Sequence, residues 1–331
     1  MRPLKRYLST VVIVVSIVTL VLFHEKYDFS DKSIGKEVNV TINNGATGRE
    51  IALALEQNGV IKSGAAFIDF YNSNSAPKSI APGSHLVNTR ISMRTAVKQL
   101  LDQKRIVNSV NVKEGSTFSD VLKLLQGNDH IIKEPLRISK LEIPIANAMN
   151  SLEGQLLPAI YSFPPGTSTS YAILQMLHNF KGNLGKNSLR AYGKYSEYQV
   201  LTIASLIQVE GDLQDYAKVA SVIYNRLKIG MPLQLNSTVQ YAANLRGRIV
   251  LSRKSTAINS PYNTYKVTGL PPTPICNPSQ AAITSALNPK KTDYLYFITI
   301  KPGETRFTKS YEEFSTWTAE YNNNVAKGLF K

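Results

Sequence analysis

Glu210 is the residue whose type and position best suit chemistry. It ends the run from Leu201, which carries no other charged residue. Read as a helix, the run places Ile203, Ile207 and Glu210 on one apolar face. Desolvation there would keep the carboxyl protonated to higher pH, as general acid catalysis requires. The alternative is a helix-end Glu that turns into solvent or pairs with an Arg such as Arg226.

Other familiar catalytic constellations are missing from the sequence. We find no His-Glu-x-x-His, no paired cysteines and no ligand spacing among the four histidines. A Gly-x-Ser-x-Gly elbow, a P-loop and a dinucleotide fingerprint are also absent. Cys276 lies among Pro and Ile, which favours a small buried residue over a catalytic thiol. We therefore expect no metal and no cofactor, and carboxylate chemistry remains.

The elements that must position Glu210 follow from hydrophobic periodicity and capping residues. Strands and helices mix without βαβ regularity, which predicts an α+β fold. The region from 236 to 273 is rich in loop-forming residues. We predict helices over 171–180, 198–210, 216–227, 278–287 and 311–322, and a buried strand over 294–300.

The N-terminal half predicts a smaller α/β unit with a short internal repeat. A strand over 38–42 and a turn ending at Gly45 precede a helix capped by Thr47. A strand over 107–112, a turn ending at Gly115 and a Thr117 cap repeat that order. Further helices are expected over 65–71 and after Ser92, with a short strand over 85–87.

Charge and the N-terminus point to a surface at the membrane. The net charge of +15 favours an anionic partner. No nucleic-acid module is recognisable, so we expect no nucleic-acid partner. Residues 1–6 are basic and residues 7–23 carry no charge, which predicts a single membrane helix with a cytoplasmic N-terminus and exported C-terminal domains. A cleaved signal peptide is the alternative, although no small-x-small cleavage site follows.

The region after Glu210 is dense in groups that suit sugars. Amides supply both donors and acceptors, and Tyr rings supply a flat apolar face with a polar tip. These residue types are also common in ordinary loops. The candidates for substrate binding are Tyr224, Asn225, Gln234, Asn236, Thr238, Tyr262, Asn263 and Tyr265.

Four blocks follow one another in order between about residues 150 and 300. They are Leu152-Glu-Gly154 with Pro158 and Tyr161; Leu201–Glu210; Ala220–Leu227 with Gly230-Met231, Leu233-Gln234 and Thr238-Val239; and Tyr262–Tyr265 with Gly269–Pro272, Pro274-Ile275, Pro278 and Tyr294–Phe297. In order and spacing they resemble the membrane-anchored endolytic murein transglycosylases, the YceG-like family. The second block matches the family's Leu-Thr-x-Ala-Ser-x-x-x-x-Glu helix.

The resemblance implies an architecture and an activity. It implies a linker over 24–36, a LysM-like domain over 37–110 and a YceG-like catalytic domain over 111–331. Glu210 aligns with the family's catalytic Glu, and Glu153 is a second carboxylate within a matching block. The implied partners are peptidoglycan glycan strands, the membrane through residues 7–23, and cell-wall synthesis enzymes.

The chain departs from the family pattern at several positions. An earlier Glu of many members is Gln208 here, and the family's Asp-Pro before Thr-Val is Asn236-Ser237. Thr273 and Ser279 replace glycines, and a frequent His near Thr305 is missing. These departures leave room for a non-enzymatic, membrane-anchored wall-binding or scaffold protein. A membrane-anchored peptidase lacks any recognisable nucleophile or metal set.

The implied reaction is lytic cleavage by one carboxyl group. Glu210 would protonate the oxygen between N-acetylmuramic acid and N-acetylglucosamine. It would then take the proton of the muramic C6 hydroxyl, which closes on C1 and leaves a 1,6-anhydro end. Ordinary glycosidases need a second carboxylate, whereas this intramolecular attack needs no water nucleophile.

Overall fold

The computed structural model describes residues 27–31, 34–43, 45–73, 80–137, 142–187, 189–245 and 256–330. Helices and small sheets mix along the chain, so the predicted α+β class is confirmed. Contacts divide the chain into two units. The first comprises residues 1–110, 128–132 and 160–167, and the second comprises 111–127, 133–159 and 168–331.

No helix in the described ranges has both the length and the apolar character needed to cross a membrane. The predicted membrane helix over 7–23 lies outside the described residues, as do residues 24–26, 32 and 33 of the predicted 24–36 linker. The LysM-like identity of the 37–110 domain stays a prediction.

The first unit is built on a three-stranded antiparallel sheet in the order β1-β2-β3. Its register runs from Glu37 opposite Asn88 to Ile42 opposite Gly83. Val40, Leu55 and Phe67 are among the side chains of its buried core. The elements are β1 Glu37–Ile42, α1 Gly48–Gln57, α2 Gly64–Ser73, β2 Gly83–Asn88, α3 Met93–Leu101, a 3₁₀ turn Gln103–Arg105 and β3 Ile106–Val107.

The predicted repeat of strand, turn and capped helix occurs twice. Gly45 and Gly115 adopt φ values of 77° and 76°, a left-handed conformation that glycine tolerates without steric cost. Thr47 and Thr117 then form capping boxes at the start of their helices. The repeat is therefore confirmed as a local structure.

The second unit holds Glu210 and contains most of the remaining helices. Its largest core packs Leu201, Ile203, Val219, Ile223 and Leu287 together. The elements that follow β3 in the chain are β4 Ser109–Val112, α4 Phe118–Gln126, β5 Ile131–Ile132, β6 Ala159–Ser162, β7 Thr167–Ser168, α5 Thr169–Asn187, α6 Glu197–Glu210, a 3₁₀ turn Leu213–Asp215, α7 Tyr216–Lys228, α8 Asn236–Ala242, α9 Gln280–Leu287, β8 Tyr296–Lys301, β9 Glu304–Thr308 and α10 Tyr311–Ala326.

The α6 helix is buried on all faces over most of its length, whereas an amphipathic helix buries only one face. A capping box of Ser196 and Gln199 starts it, and every residue from Val200 to Ile207 is buried. Ser205 Oγ accepts the backbone N–H of Ile275 at 3.0 Å, which ties the helix centre to a neighbouring loop. The apolar face predicted from spacing is thus buried, and the other faces of the helix are buried with it before its last turn.

Three other predictions differ from the structure. The single strand predicted over 107–112 is two strands, β3 and β4, separated at Asn108, whose φ is 55°. Residues 236–273 are rich in loop-forming residues, but they begin with the helix α8. The strand predicted over 294–300 is β8, an antiparallel partner of β9, and it is half-buried, with Ile300 its buried residue. Successive residues of β8 and β9 are partly exposed, without the alternation expected of a sheet that buries one face.

Candidate active site

The carboxyl of Glu210 is held at the end of α6 by the start of α8. Glu210 Oε1 accepts the backbone N–H of Ser237 at 3.3 Å and also accepts the Ser237 hydroxyl. Ser237 itself is buried. Because α8 starts without a side-chain cap of its own, the carboxylate satisfies one of its free N–H groups. The missed helix therefore supplies the closest partner of the candidate acid.

Opposing influences act on the protonation of Glu210. Desolvation by the surrounding protein raises the pKa of its carboxyl, although the residue as a whole keeps some solvent exposure. The two hydrogen bonds from Ser237 and the positive charge of Arg226 lower it. Desolvation is the largest of these effects, so the carboxyl holds its proton to higher pH than a free Glu.

Arg226 supplies a buried positive charge on α7. Its Nε donates to the carbonyl of Leu295 at 2.6 Å, and its Nη1 donates to the carbonyl of Leu233 at 2.7 Å. Its guanidinium also lies 5.3 Å from the ring centroid of Tyr296. Within the described residues Arg226 forms no direct ion pair with Glu210, and it acts on Glu210 through its field.

Two predicted sugar-binding residues lie beside Glu210. Tyr265 donates its hydroxyl to Asn236 Oδ1 at 2.7 Å, and the charge of Glu210 contributes to a raised pKa of Tyr265, after the larger effect of burial. Asn236 is exposed and directly precedes Ser237. Asn236 is thus an exposed polar side chain next in sequence to the hydrogen-bond partner of Glu210, and Tyr265 is hydrogen-bonded to it.

Gln234 has an unusual backbone conformation next to this site. Its φ is 50°, in the left-handed region that non-glycine residues rarely adopt. A hydrogen bond from its N–H to the carbonyl of Thr264 at 3.0 Å supports that conformation. Its side chain is exposed, and such backbone outliers often accompany functional sites.

Thr238 and Asn263 hold the local backbone. The hydroxyl of Thr238 donates to the carbonyl of Leu235 at 2.7 Å, and Asn263 donates to the carbonyls of Thr256 and Ile258. Both side chains are fully buried. Their observed contacts shape the loop around the site, and binding of substrate by either stays a prediction.

Tyr224 and Asn225 line a cavity away from Glu210. Asn225 donates to the carbonyls of Thr292 and Tyr294 at 3.0 and 2.9 Å. The Tyr224 hydroxyl donates to the carbonyl of Ala286 at 2.8 Å. The structure thus separates this predicted pair from the candidate acid.

Glu153 and Tyr262 line another cavity of about 750 Å³. Glu153 is buried and accepts the backbone N–H of Phe118 at 2.9 Å and the hydroxyl of Tyr241 at 3.0 Å. The ring of Tyr262 packs on that of Tyr241 with centroids 5.1 Å apart. Its hydrogen bonds to the start of α4 and to Tyr241 describe a structural carboxylate.

The matching family model decides the relationship. The YceG-like family matches residues 40–320. The chain belongs to the YceG-like family. The resemblance recognised in the sequence is therefore confirmed over most of the chain.

Named relatives extend this result. The chain is 34% identical to the endolytic murein transglycosylase of Bacillus subtilis, over 88% of this chain and 86% of that protein. It is 29% identical to the enzyme of the same name from Streptococcus pneumoniae D39, over 89% of this chain and 60% of that longer protein. A solved yceG-like protein of Listeria monocytogenes shares 27% identity at a TM-score of 0.56, covering 85% of this chain and 98% of that one.

The structure shows which contacts Gln208, a departure from the family pattern, and the core residue Cys276 make. Gln208, at the position of an earlier Glu in many members, donates to the Tyr216 hydroxyl at 2.9 Å and accepts the N–H of Ser279 at 2.8 Å. It therefore braces the starts of α7 and α9. Cys276 is fully buried, and its thiol donates to the carbonyl of Ser205 at 3.4 Å, as expected for a small core residue.

Ser237 is the site residue that sequence reasoning missed. In the family pattern that the sequence resembles, this position is proline, which has neither an N–H nor a hydroxyl to offer Glu210. The departure from the family pattern was the available signal. Ser237 adds two hydrogen bonds to the candidate acid.

The geometry favours proton transfer by one carboxyl. Among the described residues, no group of three or more His, Cys, Asp or Glu side chains could hold a metal ion. Glu210 combines desolvation with an orientation fixed by the hydrogen bonds from Ser237. Those are the properties of a group that exchanges a proton with a bound ligand.

Proposed function

We propose that this chain is a membrane-anchored, endolytic lytic transglycosylase of peptidoglycan with Glu210 as its general acid and base. The desolvated carboxyl of Glu210 at the junction of α6 and α8 carries the proposal. Family membership and relatives named endolytic murein transglycosylase support the reaction class. The proposed substrate is the glycan strand of nascent peptidoglycan.

The proposed reaction uses Glu210 twice. Its proton passes to the oxygen between N-acetylmuramic acid and N-acetylglucosamine while the bond from C1 to that oxygen breaks. The muramic C6 hydroxyl forms a new bond to C1, and its proton returns to the Glu210 carboxylate. The products are a 1,6-anhydro-muramic end and a free N-acetylglucosamine hydroxyl, and no water is consumed. Proximity of the C6 hydroxyl replaces a second carboxylate.

Neighbouring residues take supporting roles in this proposal. The field of Arg226 stabilises the carboxylate formed after the first proton transfer. Asn236 and Tyr265 present amide and hydroxyl groups to the N-acetyl and hydroxyl groups of the strand. The exposed Gln234 side chain, three residues before Ser237, is a further candidate for binding the strand.

The proposed location of the chain is inferred from its N-terminal sequence. Residues 7–23 would anchor the chain in the cell membrane, with residues 1–6 in the cytoplasm. The catalytic domain would then act outside the cytoplasmic membrane on newly made strands. Cell-wall synthesis enzymes are the proposed protein partners at that location.

Product chemistry tests the function directly. The full chain in detergent is incubated with uncrosslinked glycan strands, and product ends are identified by mass spectrometry. We expect 1,6-anhydro-muramic ends from the wild type and at least a hundredfold slower release from Glu210→Gln, since general acid catalysis contributes about 10²–10⁴-fold.

A matched control lies on the same helix. Glu197→Gln removes a carboxyl from the first turn of α6, about 20 Å from Glu210, and should leave the rate near that of wild type. Reducing ends would identify a hydrolase. Glycan binding without turnover in both wild type and Glu210→Gln would favour the wall-binding scaffold. Undiminished cleavage by Glu210→Gln would remove Glu210 from its role.

A further inference from the structure

The cavity beside Tyr224 has a wall of three aromatic rings. Its volume is about 660 Å³, within the range of small-molecule sites. The Tyr192 and Tyr195 ring centroids each lie 5.3 Å from that of Tyr224, with interplanar angles of 48° and 55°. Tyr rings offer flat apolar faces with polar tips, which suit the face of a sugar ring.

Internal hydrogen bonds fix the floor of this cavity. Ser221 Oγ bonds to Thr292 Oγ1 at 2.7 Å, and Asn225 donates to the Thr292 carbonyl at 3.0 Å. The hydroxyl of Tyr224 is held by the carbonyl of Ala286. The polar floor groups are thus engaged with one another, and a ligand would find its charged contacts at the rim.

The rim of the cavity is strongly positive. Four exposed lysines line it, and no lining residue is acidic. None of the four forms an ion pair with any residue in the described ranges, although the ammonium of Lys194 lies 5.6 Å from the ring centroid of Tyr195. The nearby carboxylate of Asp293 is paired with Lys309 at 2.9 Å. The lysines are Lys194, Lys228, Lys290 and Lys291.

This cavity is distinct from the candidate active site. Ser221, Tyr224, Asn225 and Lys228 lie at i, i+3, i+4 and i+7 on one face of α7. Arg226, which acts on Glu210, projects from a different face of the same helix. The two sites are therefore on different sides of a helix that is about 10 Å thick.

We propose that this cavity binds an anionic saccharide, with a sugar ring against the tyrosines and its carboxylate or phosphate among the lysines. The charged group is either the muramic carboxylate of a glycan strand without peptide stems or the phosphate of a phosphodiester-linked wall polymer. The proposal rests on the proposed function only in placing the chain among wall glycans. Its test measures binding and does not require turnover.

Binding is measured with the full-length Glu210→Gln chain in detergent, which prevents cleavage of the ligand. The probes are stem-free murein strands, polyribitol phosphate bearing N-acetylglucosamine, neutral chito-oligosaccharides and single-stranded DNA. We expect one or both anionic saccharides to bind more tightly than the neutral probe. Which of the two binds identifies the source of the charge.

Charge reversal separates this cavity from the general positive charge of the chain. Lys290→Glu with Lys291→Glu should weaken binding of the anionic saccharide about tenfold or more at physiological salt, because two favourable contacts become repulsive. The matched control is Lys98→Glu with Lys104→Glu, which makes the same charge change on exposed lysines elsewhere and should stay within about twofold.

Three results would overturn the proposal: no binding of either anionic saccharide, an equal loss of affinity in both double variants, or tighter binding of DNA that displaces the saccharide. A failed proposed function gives a different result. The wild-type chain would then leave no anhydro ends, while the binding measurements would stand unchanged.

Discussion

Removing the Ser237 hydroxyl should change the pH at which this chain works. The hydroxyl and the N–H of Ser237 both donate to Glu210 Oε1. Ser237→Ala removes the first bond and keeps the second. Since both bonds stabilise the charged carboxylate, losing one raises the pKa of Glu210 further above its usual range.

The size of the effect follows from the strength of the lost bond. A hydrogen bond to a charged group contributes about 1.5–3 kcal/mol. The balance between carboxylate and acid therefore moves toward the acid by roughly tenfold or more, since about 1.4 kcal/mol corresponds to a factor of ten. On the proposed mechanism Glu210 must be protonated to begin the reaction. The alkaline limb of the rate profile should accordingly move to higher pH.

The assay is the pH dependence of kcat/KM for release of anhydro-muramic ends. Ser279→Ala is the matched control, because it removes another buried serine hydroxyl, one that caps α9 and does not contact Glu210. The control should lose about 1 kcal/mol of stability and keep the wild-type limb. An unmoved limb in Ser237→Ala, with the same limb in the control, would refute this account of how Glu210 is tuned.

Three further changes follow from the same geometry. Asn236→Asp adds a negative charge beside Glu210 and should also move the alkaline limb of the pH profile upward, whereas a downward shift would contradict it. Gln208→Glu should keep the anhydro product. Its free energy of unfolding, measured with urea, should change by under about 1 kcal/mol, because the Tyr216 hydroxyl can donate to Glu instead of accepting from Gln. A large gain in rate would show that one acid is not enough. Glu210→Gln should raise Tm at pH 8 and not at pH 4. The folded-state pKa of this acid is raised, so the stability of the wild type falls as pH rises from the unfolded value toward the folded one. Each kcal/mol regained at pH 8 is worth about 2–4 °C, and equal shifts at both pH values would contradict the linkage.

Local signals in the sequence were sufficient for most elements. Thr47 and Thr117 each stand before an amphipathic run with an acidic residue three positions on, so their capping boxes were readable. The last turn of α7 was placed by Gly230, which adopts a φ of 71° beyond its end. These features depend only on residues that are close together in the chain, so the sequence alone is enough to predict them.

The helix that completes the site could not be predicted in this way. The α8 segment, Asn236–Ala242, is short and starts without a side-chain cap, and its beginning reads as loop. Its free N–H group is satisfied by Glu210, which lies 27 positions away from Ser237 in the chain. A cap supplied by a distant residue leaves no local pattern, because tertiary structure supplies the partner.

The same physical cause explains why the sugar-binding candidates separated. Tyr224 and Tyr265 were grouped because both are polar aromatics in matching blocks. Composition does not specify the direction of a side chain, whereas helical phase does. Tyr224 lies on the face of α7 that holds Ser221 and Asn225, away from Arg226 and Glu210. Helical periodicity alone places Tyr224 and Arg226 on different faces of α7, which predicts that Tyr224 lies away from Glu210.

The balance of effects on Glu210 suits a single group that must act in two protonation states. A carboxyl controlled by desolvation alone would donate its proton readily but resist the charged state that it must enter next. A carboxyl dominated by the effects of Arg226 and Ser237 would lose its proton at too low a pH to serve as an acid. Here desolvation prevails while the hydrogen bonds and the buried positive charge oppose it, which keeps both states within energetic reach. Ser237, where the family pattern has proline, adds to the side that favours the carboxylate. This chain should therefore reach its alkaline limit at lower pH than its own Ser237→Pro variant, provided that variant folds, which Tm would establish first.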